Sequence, residues 1–450
     1  MIAPTNRLLI IYGATVPPLA ILPLLAGLPV MAALAAGAVV VGIMLMDAAL
    51  ARLPMRHVGL SLPAAARMTK GRDSALEISL INTGGKERAV RLGIAFPPEI
   101  SSPREDASLL LAGGAESFRL PWPCTPLKRG EFTIERCCLE AKSPLGFWAF
   151  RSHRKVSCAV RVYPSLARER KNLSGLFLNR GGCGIHARRH HGKGRDFEEL
   201  RDYIPGDGFD EIHWKATAKR RHPITKVFQI ERTQEVYVAV DASRLSGRPA
   251  PSEGDAPGRS GHENRMERFI EAALVLGLAA QKQGDLFGIV TFSDSVHDFL
   301  RARGGKAHYG ACRDRLYNLQ PRMVNPSYEA LSAFIRLKMR RRSLIMVLTS
   351  LDDPVLAESF TRSMEIVSRH HLLMAATPRP PGSRPIFSNV NLRSSKEIYD
   401  ELSGHALWHD LRELERALAH RGVRLAVLDD ARMSVDLVSR YMRAKERQIL

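Results

Sequence analysis

The sequence predicts a multidomain chain in three structural parts: a transmembrane helical hairpin, a β-sandwich-like domain and a doubly wound α/β domain. Three observations predict it. Residues 8–46 contain no charged side chain, residues 58–165 break into short alternating stretches, and from residue 235 apolar runs of strand length alternate with helix-period segments. At 450 residues the chain exceeds one ordinary domain, so several cores are expected.

The uncharged run breaks at "LAGLP" (25–29) into two segments, about 8–26 and 28–46, each near the length that crosses a bilayer. It is too long for a signal peptide. Pro17, Pro18 and Pro23 would kink the first span, which a partner helix tolerates. Arg7 precedes the first span, Arg52 and Arg56 follow the second, and the turn between them is uncharged. The positive-inside rule then makes residues 1–56 a two-pass anchor of the cell (inner) membrane, in contact with lipid, with both termini and the soluble domains cytoplasmic.

Residues 57–165 read as the β domain. "ALEISLIN" (75–82), "RAVRLGIAF" (88–96) and "CAVRVYP" (158–164) alternate in polarity and are separated by Gly, Pro and Asn turn signals. "LKRGEFTIERCCLEAKSPLGFWAF" (127–150) reads as two strands joined by a Ser-Pro-Leu-Gly turn, with Trp148 and Phe150 packing at its end. The six cysteines (Cys124, Cys137, Cys138, Cys158, Cys183 and Cys312) show no Cys-x-x-Cys and no paired spacing. They read as free thiols in a reducing compartment.

Residues 166–233 form a linker followed by a dense motif. The first stretch is rich in Gly, Arg and His and reads as a loop or extended arm. His186, His190 and His191 have no Cys or carboxylate at ligand spacing, and the surrounding Arg and Lys oppose a cation. The formal net charge of +20 invites a nucleic-acid reading. Aromatic-basic interleaving and a reading helix are lacking, so no nucleic-acid partner is expected.

Residues 234–450 carry the strand and helix alternation. "EVYVAVDAS" (235–243) is apolar enough for a strand buried on both faces. Helix 265–284, strand 286–292, helices near 311–319 and 328–339, strand 343–350, helix 354–368, strand 371–377, helix 395–419, strand 423–429 and helix 434–446 follow. Such sheets bind ligands beyond the carboxyl ends of their strands. Residues 246–264, rich in Gly, Pro and Ser, leave the first of those ends as a flexible insertion. No Gly-rich phosphate loop follows the first strand. Asp241 and Ser243 stand there instead, the beginning of a hard-cation site.

The densest cluster of chemistry is "LRDYIPGDGFDEIHW" (200–214). An uncharacterised hydrolase using Asp207, Asp210 and His213 is one reading. It lacks a Gly-x-Ser-x-Gly, a His-Glu-x-x-His or a placed Cys nucleophile. The structural reading is fuller. Asp196 caps a helix "FEELRDY", Pro205 and Gly206 make a turn braced by Asp207, and Ile212 and Trp214 bury beneath the sheet. Lys215, Lys219, Arg220, Arg221 and Lys226 supply partners for the acids. No catalytic residue, and so no enzyme, is expected.

These stretches resemble a known family. "GKGRDFEELRDYIPGDGFDEIHWKATAKRRHPITKVFQIE" (192–231), with "KRGEFTIE", "SPLGFWAF" and "VRVYP" upstream, is similar to the domain-of-unknown-function 58 family of bacterial membrane proteins. The motif's Asp196, Phe197, Leu200, Arg201, Tyr203, Pro205, Gly206, Asp207, Ile212 and Trp214 carry the match. The second half looks like a von Willebrand factor A-type domain. The resemblance implies a membrane-anchored adaptor or assembly factor that works with a MoxR-type AAA+ ATPase in maturing envelope or metal-containing complexes. An A-type metal site would need Asp-x-Ser-x-Ser, a Thr and an Asp on three loops. This chain offers Asp241, Ser243 and a displaced Ser246, then Asn325 and Ser327, then Ser350 and Asp352. The set falls short, so no cofactor is expected; a Mg²⁺, if any, would rest on Asp241 and Ser243.

Overall fold

The computed structural model describes the chain apart from residues 27–29, 86, 115–116, 167–190, 206–207, 210–211, 230–233, 251–263, 387, 389–393 and 447–450, with backbone alone for 19–26, 30, 32–33, 54, 191–199, 227–229, 431 and 446. The described chain divides into two compact units, Met1–Ser165 and Leu166–Leu450.

The first unit begins with strand β1 (Ile2–Pro4), helix α1 (Asn6–Ala26) and helix α2 (Val30–Leu50). Strands β2 (Val58–Ser61), β3 (Ala65–Thr69), β4 (Ser74–Asn82), β5 (Arg88–Ile94), β6 (Ile100–Ser101), β7 (Asp106–Leu111), β8 (Ser117–Pro126), β9 (Gly130–Lys142) and β10 (Trp148–Tyr163) follow. One sheet runs β1-β10-β9-β5-β7 with β3 parallel to β10, and the other runs β2-β4-β8-β6. Alternation explains the core. Leu76, Ile78 and Leu80 of β4 and Trp122 of β8 meet Leu92, Leu139, Val160 and Val162 of the first sheet, all fully buried or nearly so.

This arrangement corrects the expectation of a transmembrane helical hairpin followed by a separate β-sandwich. Among the described residues no helix is long and apolar enough to cross a membrane. The start of the chain is built into a sheet instead. Ile2, Ala3 and Pro4 pair with Phe150, Ala149 and Trp148. The Thr5 hydroxyl donates to the carbonyls of Gly146 and Phe147. Asp47, directly after the uncharged run, is buried, and its carboxylate accepts from the Ser143 hydroxyl and the amides of Leu145 and Phe147. Trp148 Nε1 donates to the Met44 carbonyl at 2.9 Å. The Ser-Pro-Leu-Gly turn is thus the socket into which the end of α2 is hydrogen-bonded.

The second unit opens with an antiparallel pair, β11 (His191–Asp202) and β12 (Ile224–Gln229), bracketing helix α3 (Trp214–Arg220). The main sheet follows: β13 (Glu235–Asp241), β14 (Leu286–Phe292), β15 (Val296–Arg303), β16 (Leu344–Leu348), β17 (Leu372–Pro378) and β18 (Val423–Leu428), in the order β15-β14-β13-β16-β17-β18. All pairs are parallel except the antiparallel edge strand β15. The helices are α4 (Arg265–Lys282), α5 (Lys306–Leu316), α6 (Tyr328–Lys338), α7 (Pro354–Ser368), α8 (Ser395–His420) and α9 (Met433–Glu446).

The two faces of the sheet have separate cores. Phe269, Ala273 and Leu276 of α4 pack with Leu437, Val438 and Tyr441 of α9 over Val236, Val238 and Val240. On the other face Tyr328, Leu331 and Ile335 of α6 and Phe360 and Met364 of α7 cover Tyr237, Ala239, Ile345 and Val347. Helix starts are fixed by side chains: Asn264 accepts from the Glu267 amide, Ser327 from Ala330, and Asp353 from Val355 and Leu356 with Pro354 beside it. Gly288 lies mid-strand because a Cβ there would come within 2.5 Å of the Tyr237 ring. That ring must pass, since its hydroxyl accepts from the Ala302 amide and ties edge strand β15 to the sheet.

The sequence-based boundaries shift in places. The helix expected near 311–319 is Lys306–Leu316, and β15 has no counterpart in the expected elements. Residues 191–202, expected as loop and then a helix capped by Asp196, form strand β11, because the backbone of β12 pairs with them. His186 and His190 lie outside the described residues.

Candidate functional site

The candidate site is the crown of the main sheet, where β13, β14, β16 and β17 end. A strand buried on both faces confines its charged residues to its ends, and in β13 these are Glu235 at the start and Asp241 at the carboxyl end. Asp241 is fully buried. Its Oδ1 accepts from the Ser243 amide at 2.8 Å, and its Oδ2 accepts from the Thr349 hydroxyl at 2.6 Å. Thr349 Oγ1 is also 3.0 Å from the buried Tyr328 hydroxyl. Burial pushes the Asp241 carboxyl above the usual carboxylate range, and the bonds from Thr349 and Ser243 only partly oppose it.

The seven crown residues singled out in the sequence are drawn together, chiefly through arginines. Ser246 Oγ donates to the Ser243 carbonyl at 2.7 Å, and Ser243 Oγ accepts from the Leu245 amide, so both hydroxyls serve the loop. Arg244 Nε donates to Asn325 Oδ1 at 2.5 Å. Ser327 is spent as the cap of α6. Asp352 pairs through Oδ2 with Arg248, and Arg265 lies 3.6 Å from the same oxygen. Arg265 Nη1 donates to Ser350 Oγ at 2.9 Å.

A divalent cation does not fit this donor set. A hard cation takes about six oxygens, with carboxylates among them. Both oxygens of Asp241 already accept hydrogen bonds. Ser350 and Asp352 face guanidiniums, whose like charge repels an ion. Among the described residues no group of three or more His, Cys, Asp or Glu could hold a metal.

The insertion expected over 246–264 is shorter at its start, because Ser246 is buried and Pro249 bridges to Asn264. Two further observations were not anticipated. Thr349, one residue before the Ser350 of the expected set, is the hydroxyl that reaches Asp241. Arg265 opens a helix that is buried along nearly its whole length, and nothing in the local sequence distinguishes it from Arg268 one turn on. On the rim, Met323 is 88% and Val355 76% exposed. They follow directly on loops that hold the crown, since Arg322 N donates to the Ala242 carbonyl and Val355 N to the Asp353 cap.

The dense motif divides between core and surface. Ile212 is buried and bridges to Thr225, whereas Trp214, expected beneath the sheet, is 67% exposed as the first residue of α3. Its place is dictated by His213, whose Nδ1 accepts from the Ala216 amide at 3.0 Å and caps that helix. Tyr203 stacks with Phe209 and Leu200 is exposed; Arg201 lies in β11 and Pro205 in the turn after it. Asp196 and Phe197 are backbone positions in β11, paired with Gln229 and Phe228. Gly206, Asp207 and Asp210 lie outside the described residues, so the Asp207/Asp210/His213 group is not assembled among them.

Residues 199–381 match the family model described as a protein of unknown function, DUF58. No curated protein matches the chain. Among solved structures, an aerotolerance-related membrane protein of Bacteroides fragilis aligns at 13% identity and TM-score 0.29, over 47% of this chain and 99% of that one. The hypothetical protein BatB of Bacteroides thetaiotaomicron aligns at 14% and 0.28, over 47% and 98%. The SpRpn10 VWA domain aligns at 12% and 0.27, over 46% and 95%.

Proposed function

We propose that the α/β unit is a von Willebrand factor A-like protein-binding module that docks its partner on the crown of the sheet. The observation that carries this reading is the pairing of a closed interior with an open rim. Both oxygens of Asp241 and the hydroxyls of Ser243, Ser246, Ser327 and Ser350 are each engaged by a neighbour, so the end of β13 is closed on itself. On the rim Met323 and Val355 project into solvent, and the exposed Arg322 precedes Met323 in the chain. Exposed apolar side chains within a charged rim suit a protein interface, where they desolvate on contact.

The resemblance to the domain-of-unknown-function 58 family supplies the partner's class: a MoxR-type AAA+ ATPase, with the chain acting as adaptor or assembly factor for envelope or metal-containing complexes. The hydrolase reading has less support, because His213 spends Nδ1 on capping α3. The test is co-purification of the full chain with that ATPase, unaltered and as Met323→Asp and Val355→Asp. Capture of the ATPase by the unaltered chain, and its loss in both variants at unchanged melting temperature, supports docking on the crown. Undiminished capture by both variants rejects it.

A further inference from the structure

We infer that Arg265 serves as the resident cation of the crown, taking the structural part that a divalent ion would play in joining its loops. Arg265 is 5% exposed, so its guanidinium has left water almost completely. It also stands at the first position of an 18-residue helix, where the helix dipole disfavours a positive charge. Burial and position both oppose a cation, so the surrounding groups must hold it there.

Those groups come from separate loops. Ser350 Oγ accepts from Nη1, and Asp352 Oδ2 lies 3.6 Å from the same nitrogen, so the loop after β16 is gripped by one side chain. Asp430, buried in the turn after β18, feels the charges of Arg265 and Arg268, which pull its carboxyl down against the larger upward push of burial. The backbone grips the loop after β13: Arg265 N donates to the Arg248 carbonyl and Met266 N to that of Ser246. Arg248 then closes the circuit by pairing with Asp352.

An ion bound by carboxylate and hydroxyl oxygens would join the same strand ends. Here the guanidinium holds the loop after β16 by one hydrogen bond to Ser350 and an ion pair with Asp352, the backbone at the same helix start holds the loop after β13, and unlike an ion the arginine cannot dissociate. The crown is therefore assembled without metal, whether or not a partner docks on it. A Mg²⁺ binding Ser350 Oγ and Asp352 Oδ2 would compete with Arg265 and Arg248 for those atoms.

The test is thermal melting of the full chain in EDTA and in millimolar MgCl₂, MnCl₂ or CaCl₂, for the unaltered protein, Arg265→Lys and Arg265→Met. The unaltered protein should melt at one temperature in all four conditions. Arg265→Met should lose roughly 6 °C or more, and Arg265→Lys should recover part of that loss by keeping the charge without the fork. Hydrogen exchange at the amides of Ser246 and Met266 should speed up about tenfold or more in Arg265→Met, because the loop is released. Should Arg265→Met not fold, Ser350→Ala takes its place, with faster exchange at the same amides expected. An upward shift of the unaltered protein in any of the three salts overturns the inference. So does an Arg265→Met, or a substituted Ser350→Ala, with parental melting and exchange. Because the melt needs no partner, its outcome is separate from that of the docking proposal.

Discussion

The Thr349 hydroxyl donates to Asp241 Oδ2 across the ends of two adjacent parallel strands, β13 and β16, at 2.6 Å. This bond holds an acid inside an apolar sheet by supplying a neutral donor. Replacing Asp241 by Asn keeps an acceptor for the Ser243 amide and gives Thr349 a donor in place of an acceptor, which the hydroxyl can accommodate by turning. The cost in stability should be on the order of 1 kcal/mol or less. The pH dependence has a definite sign. The folded pKa is raised, so the folded state holds its proton longer than the unfolded chain. Stability is then lost as pH rises from the ordinary carboxylate value through the folded pKa. Chemical denaturation of both proteins across that window checks this: Asp241→Asn should gain on the parent as pH rises.

His371 is buried at the start of β17, and burial, with His370 adding to it, lowers its pKa below the ordinary value of 6.5. The unfolded chain therefore takes up the proton first. Stability should fall as pH drops from about 6.5 toward the folded pKa and then level off. His371→Leu should remove this part of the acid slope while matching the parent at neutral pH. An unchanged slope in equilibrium unfolding would contradict the assignment.

Asp285, almost wholly buried, accepts from the Tyr441 hydroxyl and from Lys445 Nζ at 2.7 Å, while its other oxygen accepts from the Gln234 amide. It pins the last helix beneath the sheet. Asp285→Ala strands the partly buried ammonium of Lys445 and should cost about 3 kcal/mol or more. Urea unfolding measures it. Lys445→Met at Asp285→Ala should recover part of the loss.

In the first unit, Asp47→Ala should leave the Leu145 and Phe147 amides without their acceptor and cost about 1–3 kcal/mol. Exchange at those two amides should rise well before that of the β9–β10 ladder. Exchange rising equally throughout would show that Asp47 supports the whole unit instead of the one turn.

The reach of the sequence followed the physics of burial. β13 was legible as "EVYVAVD" because both its faces are covered. β15, "VHDFLRAR", was not, because an edge strand with one wet face mixes apolar and charged residues without a clear period. "FEELRDY" carries helix-forming residues, yet pairing with β12 overrode local preference. The uncharged run at the start was read from its length, its hydrophobicity and its flanking arginines, and the weight of Asp47 at its end was invisible until its three hydrogen-bond donors were in place. At the crown the strand-end residues were identifiable by position. Arg265 was not, because 85 residues of chain separate it from Ser350. Only the fold brings a helix start to that strand end.

The central claim is that the crown is a protein-docking surface held together without a metal. The most direct measurement is the dissociation constant between the full chain and the nucleotide-free MoxR-type ATPase, in EDTA and in millimolar Mg²⁺, for the unaltered chain and Val355→Asp. The account predicts equal affinity in the two buffers and a loss of about tenfold or more in the variant. Binding abolished by EDTA, or unaffected by Val355→Asp, would contradict it.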